Sequence, residues 1–386
     1  MKNFEFYNPT KVYFGKDEVN KVGKLVKEFG SKVLLVYGKG SIKKTGLYER
    51  VINLLEKEEI TVFELGGIDP NPRIESIRLG GELCKKHQID LVLAVGGGSV
   101  IDAAKGIAAA AKYEKDPWDF YAHKAEATGA LAIATVLTLS ATGSEMNPFS
   151  VVTNFETQEK NGWGSNYAYP KFSILDPTLT YSVSYHQTGC GIVDILTHVY
   201  EFYFSKKESY LNNRLCEAIM KTVIHYGPIA LSEPNNYEAR ANLMFSSTLA
   251  LNGIISFSNV WEGFNHTTEH VLSAVYDIAH GDGLSILGPT WMKHILSEDN
   301  VEKFYEFAVN VWGIEDDEDH AYVASQGISA VFSFYRSIKM PLRLKDVGII
   351  NPNFDLLAEK AVTNKTIGEF VKLTKEDVKD ILMFSA

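Results

Sequence analysis

The chain is short of three things, and each shortage closes off a class of protein. Of its 386 residues three are cysteine, Cys84, Cys190 and Cys216, widely spaced and without a C-x-x-C pair. That excludes a disulfide-stapled scaffold and a thiol redox couple, so the three are read as reduced bystanders. The longest mostly apolar stretch, Ala130–Leu139, falls well short of the roughly 18 residues a membrane span needs, so no membrane partner is expected. Positive charge is also scarce. Lys+Arg total 38 against 48 Asp+Glu, a formal charge of −10 with no long basic run, which argues against a nucleic-acid partner. The opening Met1–Phe6 has a lysine but no apolar h-region, so no secretory signal is read there and the cytoplasm is the expected location. What is present is 45% apolar and 22% charged residues, the composition of a folded chain of two or three domains, and a small-molecule enzyme fits it best.

Short β-rich runs in the first half, Lys32–Tyr37, Thr61–Leu65, Asp90–Val95, Ala130–Leu139 and Phe172–Leu175, alternate with amphipathic stretches such as Leu47–Glu58 and Ile74–His87. That alternation is how parallel βαβ units read in sequence. After about Ser184 it stops. Helical patterns follow at Asp194–Phe204, Leu211–Tyr226, Glu238–Leu251, Val301–Val311, Asp319–Ser337 and Lys375–Phe384. The expectation is an α/β domain over residues 1–183 and an all-helical domain over 184–386.

Two glycine turns end strands of the first half. Asp90-Leu-Val-Leu-Ala-Val-Gly96-Gly97-Gly98-Ser99 runs from a buried strand through three glycines into an alanine-rich helix that carries Asp102. Glycines let backbone N–H groups approach a diphosphate, and a helix N-terminus adds partial positive charge. A tight turn with Ser99 as a plain N-cap would use the same residues. The second turn, Tyr37-Gly38-Lys39-Gly40-Ser41, tips the balance, because two such turns at strand ends are what an open α/β sheet uses to hold a dinucleotide.

Histidines supply the other signal. Asp194 and His198 are four residues apart, which on a helix puts both on one face. Downstream stand His266, His270 and His280. One carboxylate and three imidazoles suit a divalent ion such as Zn²⁺ or Fe²⁺ with a position left open. A geometric condition attaches. On one straight helix His266 and His280 would lie about 21 Å apart, so the chain must turn back between them, with Gly281 and Gly283 as nearby turn residues. The remaining histidines, His87, His123, His186, His225, His294 and His320, are read as surface or packing residues.

Gly96–Ser99, Thr138-Leu-Ser-Ala-Thr142-Gly-Ser-Glu145-Met-Asn147, Ile174-Leu-Asp-Pro177, Asp194…His198 and His266…His280 follow one another in an order that resembles the iron-containing (group III) alcohol dehydrogenases, closest to their NAD(P)-dependent butanol dehydrogenase branch. The resemblance runs from Pro9-Thr-Lys-Val-Tyr-Phe-Gly15 to near the C-terminus. It implies a Rossmann-like N-terminal domain and an all-helical C-terminal domain, the dehydroquinate synthase-like fold, with the active site in the cleft between them. It implies Asp194, His198, His266 and His280 as metal ligands, and Gly97, Gly98 and Ser99 at a pyrophosphate. Asn71, Thr138, Thr142, Asn147 and Lys160 become further cofactor contacts, joined by Asp102 and by Gly38, Gly40 and Ser41 of the second turn. A homodimer is the expected assembly. The chain departs from the family pattern at Ser182-Val-Ser184-Tyr185, where proline is usual, and at Gly189, where an aliphatic residue is common.

The expected reaction moves a hydride between a nicotinamide and the carbonyl carbon of a short or medium aliphatic aldehyde such as butanal, with a metal as Lewis acid and His270 relaying the proton. Phe149, Phe257 and Trp261 are candidates for an apolar substrate wall. A dehydroquinate-synthase-like lyase should bring Lys or Arg close to His266, and the stretch Phe257–Asn265 has neither. A metal hydrolase would leave the glycine turns without purpose, and a silent nucleotide-binding module would leave the ligand set unexplained. A polyol or diol dehydrogenase is the remaining alternative. NAD-selective members of the family are expected to carry an aspartate where this chain has Gly38. With small residues there, Lys39, Lys43 and Lys44 close by and no acid within the turn, NADP(H) is expected to be preferred, with NAD(H) possible.

Overall fold

In the computed structural model, residues 3–207 and 209–386 are described. Eight strands are found among them: β1 (Lys11–Phe14), β2 (Lys32–Gly38), β3 (Thr61–Ile68), β4 (Leu91–Gly96), β5 (Ala132–Leu137), β6 (Phe149–Asn154), β7 (Glu159–Gly164) and β8 (Phe172–Leu175). Continuous apolar runs such as Lys32-Val-Leu-Leu-Val-Tyr and Leu91-Val-Leu-Ala-Val make strands that are covered on both faces, which is where parallel sheets live. Residues alternate between the two faces. Leu34, Val36, Val92 and Ala94 join the layer of Ile74, Ile77, Ile101 and Ile107, whereas Val33, Leu35, Leu91 and Leu93 join that of Val22, Leu25, Val51 and Leu55.

The sheet is parallel throughout, in the order β1-β8-β5-β4-β2-β3. From β2 the chain moves outward to β3, then returns to the other side of β2 to lay down β4 and β5. That reversal makes a topological switch between β2 and β4, where open α/β sheets bind ligands beyond the strands' carboxyl ends. Register places Tyr37 opposite Val95 and Gly96 opposite Leu137, so both glycine turns leave the sheet side by side. β6 and β7 form an antiparallel hairpin. The helix Tyr237–Leu251 belongs to the same unit, which comprises Tyr7–Val183 and Pro234–Asn252. There Thr248 donates to the buried Glu145 carboxylate at 2.5 Å, and Asn8 donates to the Asn252 carbonyl at 2.9 Å. The chain changes unit between Val183 and Ser184 and returns once for residues 234–252.

The second unit comprises the first residues to Phe6, Ser184–Glu233 and Gly253–Ala386. Its centre is the helix Tyr185–Tyr203, buried from Gly191 onward and capped by the Ser184 side chain accepting from the Gln187 N–H. A serine therefore performs there the start-signal role that proline was expected to have. A Cβ at Gly189 would stand 2.6 Å from the Met340 sulfur, which accounts for the missing aliphatic side chain. An aromatic cluster of Tyr203, Phe204, Trp291, Phe304 and Phe307 fills the core around this helix. The helix Tyr210–Ser232 passes through Pro228 to bury Ala230 and Leu231, beyond its expected end at Tyr226. Among the described residues no helix is long and apolar enough to cross a membrane.

Candidate functional site

Asp194 and His198 lie one turn apart on the buried face of the Tyr185–Tyr203 helix, with His198 Nδ1 3.4 Å from Asp194 Oδ1. Helices Phe264–Tyr276 and His280–Ile295 bring the other two imidazoles to the same oxygen, His266 Nε2 and His280 Nε2 each at 3.6 Å. The required turn exists. It is made by Asp277 in the left-handed region (φ 53°) and extended Ala279, however, and not by the glycines. Gly281 and Gly283 sit inside the following helix, where a Cβ would stand 2.5 Å from the Cys190 Cα and 2.6 Å from the Glu269 side chain. Their work is close packing against the ligand helices.

Asp194 Oδ1, His198 Nδ1 and His266 Nε2 are buried and have no hydrogen-bond partner. Three such atoms converging on one point are costly unless a cation satisfies them, and O/N donors of this kind suit Zn²⁺ or Fe²⁺. The residues present therefore fit a divalent ion. Burial opposes ionisation of Asp194, but the three imidazoles outweigh it and hold the carboxyl well below the usual range. Burial drives His198 down to about 4 against the pull of Asp194. Burial also opposes protonation of His266, yet Glu201 and Asp194 overcome it and raise the ring to about 10.

Sequence reading missed the groups that aim the rings. Glu201 Oε2 lies 2.6 Å from His266 Nδ1, and its other oxygen accepts the Asn265 N–H at 2.8 Å. Glu269 Oε2 pairs with His280 Nδ1. A signal was present, because Glu201 follows His198 and Glu269 follows His266 by three residues, so each shares a helical face with a histidine of the cluster. His270 is partly buried with its ring centroid 5.7 Å from that of His280, so it borders this cluster. Trp261 and Phe149 are exposed by 43% and 49%, whereas Phe257 stacks on Phe4 at 4.9 Å.

In the sheet unit the helix Gly98–Ala110 opens with Gly97 at the N-cap and no side-chain cap. The N–H groups of Val100 and Ile101 turn back to the Gly97 carbonyl, which leaves those of the opening residues without a partner inside the helix and free to face an anion. Ser99 is not the cap; its hydroxyl donates to the Pro70 carbonyl and so ties the Asn71 loop beside the helix start. A Cβ at Gly98 would lie 2.3 Å from Thr142 Oγ1. The Thr138 N–H donates to Gly96 at 3.0 Å, holding the β5 end next to the glycines. Asp102 and Asn147 are turned inward: Asp102 accepts from the Ser144 hydroxyl and the Val151 N–H, and Asn147 donates to Gly143 and accepts from Lys105. They brace the turn around the cradle. Lys160 is buried on β7, opposite Thr153.

At the second turn Gly40 occupies the left-handed region (φ 116°) and Ser41, opening the next helical turn, is exposed. Gly38 needs no such freedom, because the nearest atoms to a Cβ there are 3.7 and 3.8 Å away. Lys43 lies over the Tyr37 and Tyr48 rings, at 4.9 and 4.4 Å. An acid does stand nearby, contributed by the end of β3: Asp69 pairs with Lys39 at 2.6 Å.

The description "Iron-containing alcohol dehydrogenase" matches residues 9–177, and "Fe-containing alcohol dehydrogenase family, C-terminal" matches residues 188–385. The chain is 45% identical over 385 residues to the NADH-dependent butanol dehydrogenase B of Clostridium acetobutylicum, with 99% of each chain covered. It is 35% identical over 365 residues to the NADPH-dependent aldehyde reductase YqhD of Escherichia coli, covering 93% of each. Among solved structures, an NADH-dependent butanol dehydrogenase A from Thermotoga maritima superposes with a TM-score of 0.96 at 39% identity, covering 100% of this chain and 99% of that one.

Proposed function

The chain belongs to the iron-containing alcohol dehydrogenase family, and from that premise we infer that it is a metal-dependent NAD(P)H alcohol dehydrogenase that reduces short to medium aliphatic aldehydes such as butanal. One observation carries the reading: the convergence of three buried, unpartnered ligand atoms on Asp194, His198 and His266. Asp194, His198, His266 and His280 would hold a divalent ion, Fe²⁺ or Zn²⁺, which when bound supplies Lewis-acid stabilisation of the charge developing on the substrate oxygen. A nicotinamide held at the glycine turns would supply the hydride. Glu201 and Glu269 fix the orientation of His266 and His280 through their second ring nitrogens. Gly97, Gly98 and Ser99 receive the pyrophosphate at the open helix N-terminus, and Asn71, Thr138, Thr142 and Lys160 make further cofactor contacts. His270 relays the proton to the alcohol product.

At the second turn the space over Gly38 and the exposed Ser41 leave room for a ribose 2′-phosphate. Lys39, Lys43 and Lys44 supply positive charge, Lys39 shared with Asp69. NADPH is the favoured cofactor on this reading, with NADH accepted. The enzyme acts as a cytoplasmic homodimer: its cysteines are unpaired, as in a reducing compartment, and β1 is a sheet edge with β8 as its hydrogen-bonded neighbour.

The test is turnover of straight-chain aldehydes from ethanal to octanal, and of 3-hydroxypropanal, with each reduced cofactor, by protein of measured metal content. A higher kcat/KM for butanal with NADPH than with NADH is expected, and Gly38→Asp should move the preference toward NADH by placing a negative charge where the phosphate would sit. Full activity in metal-free protein would overturn the metal reading. A clear NADH preference would overturn the cofactor assignment alone.

A further inference from the structure

The stripe of the helix Tyr185–Tyr203 that carries Asp194 and His198 continues toward the N-terminus at the same spacing, with Cys190 four residues before Asp194 and His186 four before that. Four residues of helix rise about 6 Å, so Cys190 lies one turn beyond Asp194 and His186 two. The facing helix, His280–Ile295, contributes Asp282 from its first turn. His186 Nε2 stands 2.8 Å from Asp282 Oδ1, and Cys190 Sγ lies 3.7 Å from both. The sequence alone assigned His186 to packing and Cys190 to a bystander thiol, and it gave Asp282 no role.

We propose that His186, Cys190 and Asp282 form a second site for a zinc ion, distinct from the four-residue centre around Asp194. In a tetrahedral zinc site with Zn–S near 2.3 Å and Zn–N and Zn–O near 2.1 Å, neighbouring ligand atoms are separated by about 3.4–3.6 Å. The two sulfur distances lie within about 0.1 Å of that spacing, and the nitrogen–oxygen pair has to open by about 0.6 Å. One thiolate, one imidazole and one carboxylate form a donor set that zinc accepts, and with His186 half exposed the fourth position is left for water. The scaffold is firm at the sulfur, because Gly281 brings the start of one helix against the Cys190 backbone, where a Cβ would stand 2.5 Å from the Cys190 Cα. Binding exchanges the thiol proton, released to solvent, for the metal bond. An ion here would staple together the two helices that present Asp194, His198 and His280, so its effect would be on their stability without any part in the reaction.

Cobalt(II) is the probe, titrated into holoenzyme already loaded at its four-residue centre. That centre contains no sulfur, so a thiolate-to-cobalt charge-transfer band in the near ultraviolet can come only from a cysteine. The expected result is a band saturating at one ion per chain, bleached by added Zn²⁺, lost in Cys190→Ser and weakened at least tenfold in affinity in His186→Ala, with wild-type catalytic-metal content in both variants. No band, or a band that survives in Cys190→Ser, would overturn the proposal. Failure of Zn²⁺ to displace cobalt would overturn the zinc assignment.

Discussion

Glu201 shows how much of the proposed metal centre rests on a single side chain. Its carboxylate takes the Nδ1 side of His266 and the N–H of Asn265, which leaves His266 Nε2 aimed at Asp194. Orienting groups of this kind typically contribute 10–100-fold to metal affinity. Glu201→Gln should therefore weaken the bound ion by roughly that factor in a competing-chelator titration while NADPH binding is unchanged; an unaltered affinity would mean that the backbone alone positions His266. Gly98 has the corresponding weight in the sheet unit. The Cβ of Gly98→Ala would fall 2.3 Å from Thr142 Oγ1, so either the threonine or the helix start must shift. NADPH affinity, read by fluorescence titration, should drop about tenfold or more, the effect of losing about 1.4 kcal/mol of phosphate contact, with metal content preserved.

Elements differ in how openly the sequence declared them. The ends of Ile74–His87 and Lys375–Phe384 were readable to the residue, because amphipathic spacing and a Thr374 cap mark them locally. β1 and the β6–β7 hairpin were not, since β1 is four residues long and the hairpin contains Glu159-Lys-Asn-Gly162, poor strand formers held by pairing. The four residues proposed to hold the ion stand out in the sequence as Asp and His positions, but the break between His266 and His280 was attributed to glycines, whereas Asp277 makes it; an aspartate in the left-handed region leaves no strong pattern. Glu262 was invisible as well, for its role depends on a segment more than a hundred residues away. Its carboxylate receives the N–H groups of Glu369 and Phe370. Burial raises that carboxyl from 4.5 to about 8, with those two N–H groups pulling the other way. A carboxyl raised on folding binds its proton more tightly in the native state, so the stability it confers is complete below about 4.5 and lost as pH climbs through about 8. Glu262→Gln keeps an acceptor and cannot ionise. The wild-type urea midpoint should fall relative to the variant's across that window, and parallel pH profiles would contradict the assignment.

At the scale of the molecule, each compact unit has its own ligand set. The glycine turns Gly38–Ser41 and Gly96–Ser99 belong wholly to the sheet unit, and Asp194, His198, His266 and His280 wholly to the helical one. Stripping the metal would leave Asp194 Oδ1, His198 Nδ1 and His266 Nε2 buried and unsatisfied, at about 1–3 kcal/mol each. An ion present at a thousandfold excess over its Kd restores about 4 kcal/mol by mass action alone. Chelation should therefore abolish turnover and raise amide hydrogen exchange in the helices Tyr185–Tyr203, Phe264–Tyr276 and His280–Ile295, with β4, β5 and the helix Gly98–Ala110 keeping their protection. NADPH should act in the opposite sense, protecting the start of Gly98–Ala110 in metal-free protein without restoring activity. Exchange that rises equally in both units on chelation would show that the ion stabilises more of the chain than the helices that hold its ligands, and NADPH turnover by fully stripped protein would remove the four-residue centre from the chemistry.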